Sequence, residues 1–473
     1  MRVTSYSGNV WTYFPASNTL YPEDRERDDG AGRPLEKVIL PYTIDSLRTL
    51  CDDHLNEMIL CLTENCNMRC RYCTYCDSFP QMRNFSSKTM SIETGKAAIE
   101  WLERHSRQSP AVNISFFGGE PLLEFSTVRL LYDYASSVFR GRSVTFMLTT
   151  NGTLFHKEFL SWLGGIDRFS VTITLNGPAE IHDQLRRYKG GGGTHKRIVD
   201  ALPDLLAALK HDPGRLMIQC NYRDYRDVLK QHDYFSSNDI FKSVKIFYTG
   251  ISLPPDTPNI KKELDVLPDY VDRMFEKRIR MSSVQHVSRL KRLSPVTLWE
   301  TSLLPRFASE MNKSVPWSTI GHQGCCTPLF ARGCIDVDGN ISLCEKTENT
   351  PLLGNVNDNG IDWSVFDRLI RDCNQLFGLL HCESCPAVFY CKECYNHFYE
   401  KGKMKPVQQL KKICRGMCRI FHDELTWYCS LMETYPHLKI LPVLDPAKQH
   451  IIELTEKTAM KAMEHEPMTG GSK

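Results

Sequence analysis

Three cysteines at fixed spacing constrain this chain more than any other feature. They lie in the run Cys66-Asn-Met-Arg-Cys70-Arg-Tyr-Cys73, a C-x3-C-x2-C pattern. Three thiolates hold three corners of a [4Fe–4S] cube and leave the fourth iron open to a small-molecule chelator. A four-Cys ferredoxin site instead closes the cube for electron transfer alone. Zinc is the alternative, but it usually pairs a first C-x2-4-C with a second Cys or His pair. The strand-like run Met58–Leu62 directly before the triplet sets it in a loop at a strand's end.

The chain has 473 residues, room for about two to four domains with a large core. Its net charge of +2 provides no field pointing to nucleic acid or an anionic membrane. No apolar run is long enough to span a bilayer. The start, Met-Arg-Val-Thr-Ser-Tyr-Ser, lacks the apolar stretch of a signal peptide. A cytoplasmic protein without nucleic-acid or membrane partners is expected. Cytosolic thiols stay reduced, so 19 cysteines argue for metal ligands rather than disulfides. Six fall in 51–76, Cys220 stands alone, and twelve lie in 325–429.

The Cys-poor middle alternates strand and helix patterns. Ala111–Phe117, Ser143–Thr150, Arg168–Leu175, Leu216–Tyr222 and Ser243–Tyr248 are short, apolar and rich in β-branched or aromatic residues. Between them lie helical periodicities such as Ile92–Arg107, Thr127–Val138 and Tyr225–Phe235. This alternation predicts a parallel sheet with outer helices and sites at the C-terminal ends of its strands. Phe117-Gly118-Gly119-Glu120-Pro121 ends the second strand. Its glycines allow close backbone approach, and Glu120 is an acceptor for an ammonium group. Asn151, in Thr149-Thr150-Asn151-Gly152, is either a turn residue or a ligand contact. The run Thr172-Ile-Thr174-Leu-Asn176-Gly177-Pro178 leads into His182-Asp183-x-x-Arg186. The glycines 190–193 form a flexible loop, and they run into Thr-His-Lys rather than Gly-Lys-Ser/Thr, which excludes a triphosphate-binding loop.

Together the triplet, Gly118–Pro121 and His182–Arg186 resemble the radical S-adenosylmethionine (SAM) enzymes. The resemblance implies an α/β fold with a partial (β/α)6 barrel. It also implies an open iron that binds SAM and cleaves it to a 5′-deoxyadenosyl radical. The cofactor contacts it implies are Tyr72, Gly118, Gly119, Glu120, Pro121, Asn151, Thr174, Asn176 and Arg186. Asp is usual where Asn176 stands, which weakens a ribose contact there. Arg186 either pairs with the SAM carboxylate or is solvated.

A second cysteine region holds Cys326 and Cys344, then Cys382-x2-Cys385-x5-Cys391-x2-Cys394, then Cys414 and Cys418. Asp338-Gly339 signals a hairpin with Cys334 and Cys344 on its two strands. A zinc ribbon built from Cys382, Cys385, Cys391 and Cys394 is one reading. The layout also resembles the SPASM extension of radical SAM enzymes that modify peptides. Carried over, Cys326, Cys344 and Cys394 belong to one auxiliary [4Fe–4S] cluster, and Cys382, Cys385, Cys391 and Cys414 to another, three clusters in all. Cys334, or else Cys325, completes the first; otherwise that cluster has an open iron for a substrate thiolate. The tight Cys391-x2-Cys394 pair, Cys344-Glu345-Lys346 and Leu353-Gly354-Asn355-Val356 resemble maturases of ribosomally made Cys-rich peptides.

The implied organisation is an N-terminal α+β unit at 1–57, a barrel at 58–290, a connecting segment at 291–320, a SPASM domain at 321–430 and a tail at 431–473. Strands near Val10–Phe14 and Asn18–Tyr21 and a helix at Ile44–Leu55 make the first unit look separate. It either binds a leader peptide by edge-strand addition or caps the barrel. The implied activity is a Cys thioether cross-link in a ribosomally made precursor peptide, with a ferredoxin or flavodoxin as electron donor and Glu345 as the catalytic base. One alternative is a sulfatase maturase making formylglycine, which carries an Asp where Glu345 stands. Another is a non-catalytic iron–sulfur carrier or zinc module.

Overall fold

The computed structural model describes residues 1–5, 8–15, 19–23, 38–40, 44–73, 75, 85–210, 212–223, 225–242, 244–251, 318–320, 332–346, 349–391 and 393–434. Three antiparallel strands come first: β1 (Arg2–Thr4), β2 (Val10–Phe14) and β3 (Thr19–Pro22). Strand β4 (Val38–Leu40) and helix α1 (Ile44–Asp53) lead to β5 (Glu57–Thr63). Strand and helix then alternate through α2 (Ile92–Arg104), β6 (Ala111–Gly118), α3 (Phe125–Val138), β7 (Ser143–Thr150), α4 (Lys157–Gly165) and β8 (Phe169–Thr174). The alternation continues with α5 (Ala179–Leu185), α6 (His195–Ala208), β9 (Leu216–Tyr222), α7 (Tyr225–Ser237) and β10 (Lys245–Gly250).

Strands β5 to β10 lie side by side in chain order, and every neighbouring pair is parallel. Parallel neighbours need crossover helices, so the fold is α/β with a parallel-rich central sheet. Alternation along β5 sorts its two faces. Met58, Leu60 and Leu62 join the main core with helix residues such as Trp101, Leu102 and Leu131. Ile59 and Cys61 turn to the other face, against Phe117 and Cys334. The expected strands recur with small shifts. The fourth starts at Phe169, not Arg168, because Arg168 has φ 57, a left-handed turn conformation. The sixth runs to Gly250.

The C-terminal part begins with β11 (Ser318–Ile320), parallel to β4. Strand β12 (Arg332–Ile335) adds to the central sheet, parallel to β5, and pairs with β13 (Ile341–Ser342) across the turn at Gly339, whose φ is 85. The hairpin is therefore as expected, with one correction. Cys334 sits on β12, but Cys344 lies two residues beyond β13 rather than on a strand. A short pair, β14 (Gly354–Asn355) and β15 (Gly360–Ile361), precedes helix α8 (Trp363–Leu379). Helix α9 (Tyr395–Phe398), hairpin β16 (Tyr399–Glu400) and β17 (Lys403–Met404), and the 28-residue helix α10 (Val407–Thr434) follow.

The first strands do not stand apart. Val3, Tyr13 and Leu20 share a core with Tyr390, Met417, Phe421 and Leu425 of the Cys-rich region. Tyr13 packs 5.5 Å from Phe421, centroid to centroid, and Trp11 donates to Glu433 at 2.5 Å. Helix α1 meets α8 through the bidentate pair Arg48–Asp367. Among the described residues no helix is long and apolar enough to cross a membrane.

Candidate active site and thiol-lined cavity

The loop carrying the triplet leaves the C-terminal end of β5 and folds back on the segment after α5. Arg69 N–H donates to Arg187 O at 2.8 Å, Arg71 N–H to Leu185 O at 2.9 Å, and Lys189 N–H to Asn67 O at 3.0 Å. Cys66 is buried while Cys70 and Cys73 are half-buried. Burial pushes the Cys66 thiol up to about 11, opposed by the Met68 N–H that it accepts at 3.4 Å. Asn151 Nδ2 lies 3.9 Å from the same sulfur and donates to Asn67 Oδ1 at 2.7 Å. Its Oδ1 accepts from Thr153 N–H at 2.9 Å. Asn151 is thus a turn residue that also braces the cysteine loop.

Gly118 and Gly119 press the end of β6 onto that loop. Gly118 has φ 130, and a Cβ on Gly119 would fall on the carbonyl oxygen of Asn65. Glu120, expected as an acceptor for an ammonium group, is fully buried. Its carboxylate accepts from Leu122 N–H at 3.0 Å, Thr150 Oγ1 at 2.7 Å and Asn151 N–H at 2.7 Å. Three of about four acceptor positions are filled. Its first task is to lock the ends of β6 and β7 together. Burial raises its pKa, and those three donors oppose the rise.

The His182–Arg186 segment divides its work three ways. Burial holds the His182 pKa well below its usual value, so the ring is neutral. Asn176 N–H donates to its Nδ1 at 3.1 Å, which leaves the proton on Nε2 to bond Thr194 Oγ1 at 3.0 Å. Asp183 Oδ1 accepts from the first amides of α6, Thr194 at 2.8 Å and His195 at 2.9 Å. A Cβ on Gly193 would meet that carboxylate at 2.5 Å, a close approach that needs glycine, whereas Gly190 and Gly191 have open space around them.

Arg186 is 4 % exposed, which overturns the solvated alternative. Its Nη1 donates to Tyr72 Oη at 2.9 Å, while its buried Nε has no hydrogen-bond partner. Burial would lower its pKa, but Tyr72 and the thiols of Cys70 and Cys66 outweigh this and keep the guanidinium charged. Tyr72 Oη also receives Asn221 Nδ2 at 3.0 Å and Asn176 Nδ2 at 3.4 Å. Asn176 Oδ1 accepts Asn221 N–H at 3.0 Å. Thr174 is buried at the end of β8. Asn221 and Gln231, which donates to the carbonyls of Asn176 and Asn221, carried no sequence signal beyond their place at or after a strand's end.

The second region gathers thiols under α10. Cys382, Cys385, Cys391, Cys414 and Cys418 line one cavity of about 410 Å³, walled by Phe377, Leu380, Ala387, Val388 and Met417. Burial pushes the Cys391 thiol up to about 12. Cys385 Sγ and Cys418 Sγ are 3.7 Å apart. Cys394 caps α9, and Asn396 on that helix accepts at its Oδ1 from Asn349 N–H, in the segment between β13 and β14, at 3.0 Å. Cys344 Sγ donates to Glu345 Oε2 at 3.0 Å, and Glu345 is 8 % exposed. Cys334 Sγ lies 3.7 Å from Cys61 Sγ, a neighbour with no sequence signal. Cys325 and Cys326 lie outside the described residues.

Residues 60–218 match the model of the radical SAM superfamily. This stretch is similar to radical SAM domains. The cysteine-type anaerobic sulfatase-maturating enzyme of Clostridium perfringens (strain 13 / Type A) is 24% identical over 405 residues, 80% of this chain and 94% of that protein. Uncharacterized protein MJ0907 of Methanocaldococcus jannaschii is 32% identical over 139 residues, 29% of this chain and only 44% of that protein. The solved structure of native anSMEcpe with bound AdoMet shares the fold at TM-score 0.58 and 19% identity, covering 80% of this chain and 99% of that one.

A radical SAM domain works with a [4Fe–4S] cluster and SAM. The residues present fit them. Soft thiolates suit iron–sulfur ligation. The unpartnered Nε of Arg186, buried near Cys66 and Cys70, is a donor that an anionic ligand would satisfy.

Proposed function

We propose that this protein modifies a ribosomally made precursor peptide, joining a Cys sulfur to an unactivated carbon as a thioether. In this reading Cys66, Cys70 and Cys73 hold the SAM-binding cluster. Arg186 receives the SAM carboxylate, and Tyr72, Gly118, Gly119, Glu120, Pro121, Asn151, Thr174 and Asn176 shape the pocket. The cluster and SAM, when bound, supply hydrogen abstraction. The Cys-rich region is the SPASM domain with two auxiliary clusters, one on Cys382, Cys385, Cys391 and Cys414, the other on Cys326, Cys334, Cys344 and Cys394. The reading is carried by one observation: five thiols share a cavity on a molecule that also bears the open triplet. A simple carrier or zinc module needs no Gly118–Pro121 close approach and no buried Arg186.

The residues' own tasks follow from their contacts. Glu345, in contact with Cys344, is placed to take a thiol proton, since the thiolate is the reactive species. Burial excludes water from Arg186 and Cys66. Thioether formation would take a hydrogen atom from carbon and a proton from sulfur and leave one surplus electron, which auxiliary clusters held by the Cys-rich region would accept for a ferredoxin- or flavodoxin-class carrier.

A second reading, formylglycine formation, is favoured by the likeness to the C. perfringens sulfatase maturase along 80% of this chain. anSMEcpe, of the same fold, has been solved with the Cp18Cys peptide bound, which supports a peptide partner for either reading. Mass spectrometry of a Cys-bearing precursor peptide separates them. The thioether retains sulfur and loses two hydrogens; formylglycine loses the sulfur. Glu345→Gln is expected to keep its iron and still form 5′-deoxyadenosine, yet lose most modified peptide. Full modification by that variant removes Glu345 from the reaction.

A further inference from the structure

The thiol-lined cavity holds one more cysteine than a cluster uses. A [4Fe–4S] cube bound wholly by protein takes four thiolates. Five line this cavity. Three come from the Cys382–Cys391 segment. The other two, Cys414 and Cys418, come from α10. Four residues apart on a helix, they share one face and stand about 6 Å apart along the axis. Both are half-buried. Cys418 does not merely fill apolar space, because its sulfur meets the Cys385 sulfur at 3.7 Å. Lys411 and Arg415 line the cavity from the same helix, and their cations would offset the negative charge of four thiolates there.

We propose that Cys418 is a cluster thiol, interchangeable with Cys414 as the fourth ligand of this auxiliary site. Serine oxygen and water are poorer iron–sulfur ligands than a second thiol. The helix supplies that thiol one turn away. Ligand choice then depends on how α10 seats against the Cys382–Cys391 segment, and the cluster survives loss of either helix cysteine. This proposal rests on the reading that the cavity holds an auxiliary cluster.

The test uses the full chain, reconstituted anaerobically, with iron counted and the reduced protein examined by electron paramagnetic resonance. Cys414→Ser and Cys418→Ser are each expected to retain wild-type iron, and Cys414→Ser to show a shifted auxiliary signal. The double variant should lose one cluster, about four irons. The signal of the SAM-binding cluster, unchanged in all three, reports that the chain is folded. Loss of those irons in either single variant overturns interchange. Full iron in the double variant also overturns it. A wild-type protein with only the SAM-binding cluster overturns the auxiliary-cluster reading, and this proposal with it.

Discussion

Arg186 is a buried cation that donates to Tyr72 beside the thiols of Cys66 and Cys70, and its Nε donates to nothing. Leaving a buried donor unpaired costs about 1–3 kcal/mol, so a ligand acceptor at that nitrogen gains on binding. Arg186→Met is expected to weaken SAM binding by about ten- to a hundred-fold, the equivalent of losing a charge-assisted hydrogen bond of about 1.5–3 kcal/mol. Iron on the triplet should be retained. Equilibrium dialysis with SAM measures this, and unaltered affinity would place the carboxylate elsewhere. His182 answers to pH instead. Burial keeps its native imidazole neutral, while the unfolded chain titrates near the ordinary 6.5. Above that pH neither state carries the proton and stability is intact. As pH falls below it, the unfolded chain takes a proton the native site resists, so stability drops, at most by about 1.4 kcal/mol per pH unit. Thermal melts at falling pH should steepen in the wild type below 6.5 and less so in His182→Gln. Equal slopes would assign the loss to the other histidines.

The elements around the triplet are held by backbone contacts, not by bulk. The loop after β5 is clamped between Gly118–Gly119 on one side and Leu185–Lys189 on the other. A side chain at Gly119 has to displace Asn65, one residue before Cys66, or break the Glu120 N–H bond to Asn65 O at 2.9 Å. Gly119→Ala is therefore expected to lose most iron at the triplet while the iron of the Cys-rich region stays. Iron analysis with the reduced-cluster spectrum checks it. A variant with wild-type iron at both sites would mean the loop has room to shift. The β12–β13 hairpin works at a different interface. Its parallel pairing with β5 brings Cys334 against Cys61 and extends the barrel sheet into the Cys-rich region.

At the scale of the whole molecule, the N-terminal strands interlock with α10. Strands β1–β3 pack on α10 along the same face that carries Cys414 and Cys418 toward the cavity. The N-terminal strands therefore support the helix that delivers two thiols. Reconstituted protein is expected to carry about twelve irons, four for each of three [4Fe–4S] clusters. Replacing Cys66, Cys70 and Cys73 by Ala together should remove about four of them and all SAM cleavage. Iron determination alongside quantified 5′-deoxyadenosine is the measurement. A wild type that holds zinc and no iron would refute the cluster assignment at both sites.

Local chemistry was legible because it is written in spacing. The triplet, the Gly-Gly-Glu-Pro run, His182–Arg186 and the Asp338-Gly339 turn each act through neighbours a few residues away, and the six alternating strands follow from periodicity. The sequence by itself therefore determined the α/β barrel and where its cysteines fall along the chain. Tertiary structure decided what depends on contacts between distant segments. It buried Arg186 and left its Nε unpaired, turned Glu120 to serve β7, and brought Asn221 to Tyr72. It set Cys61 beside Cys334 and Cys418 beside Cys385, and it bound the first strands to α10. Burial and orientation depend on which surfaces meet across hundreds of residues, and no local spacing encodes that.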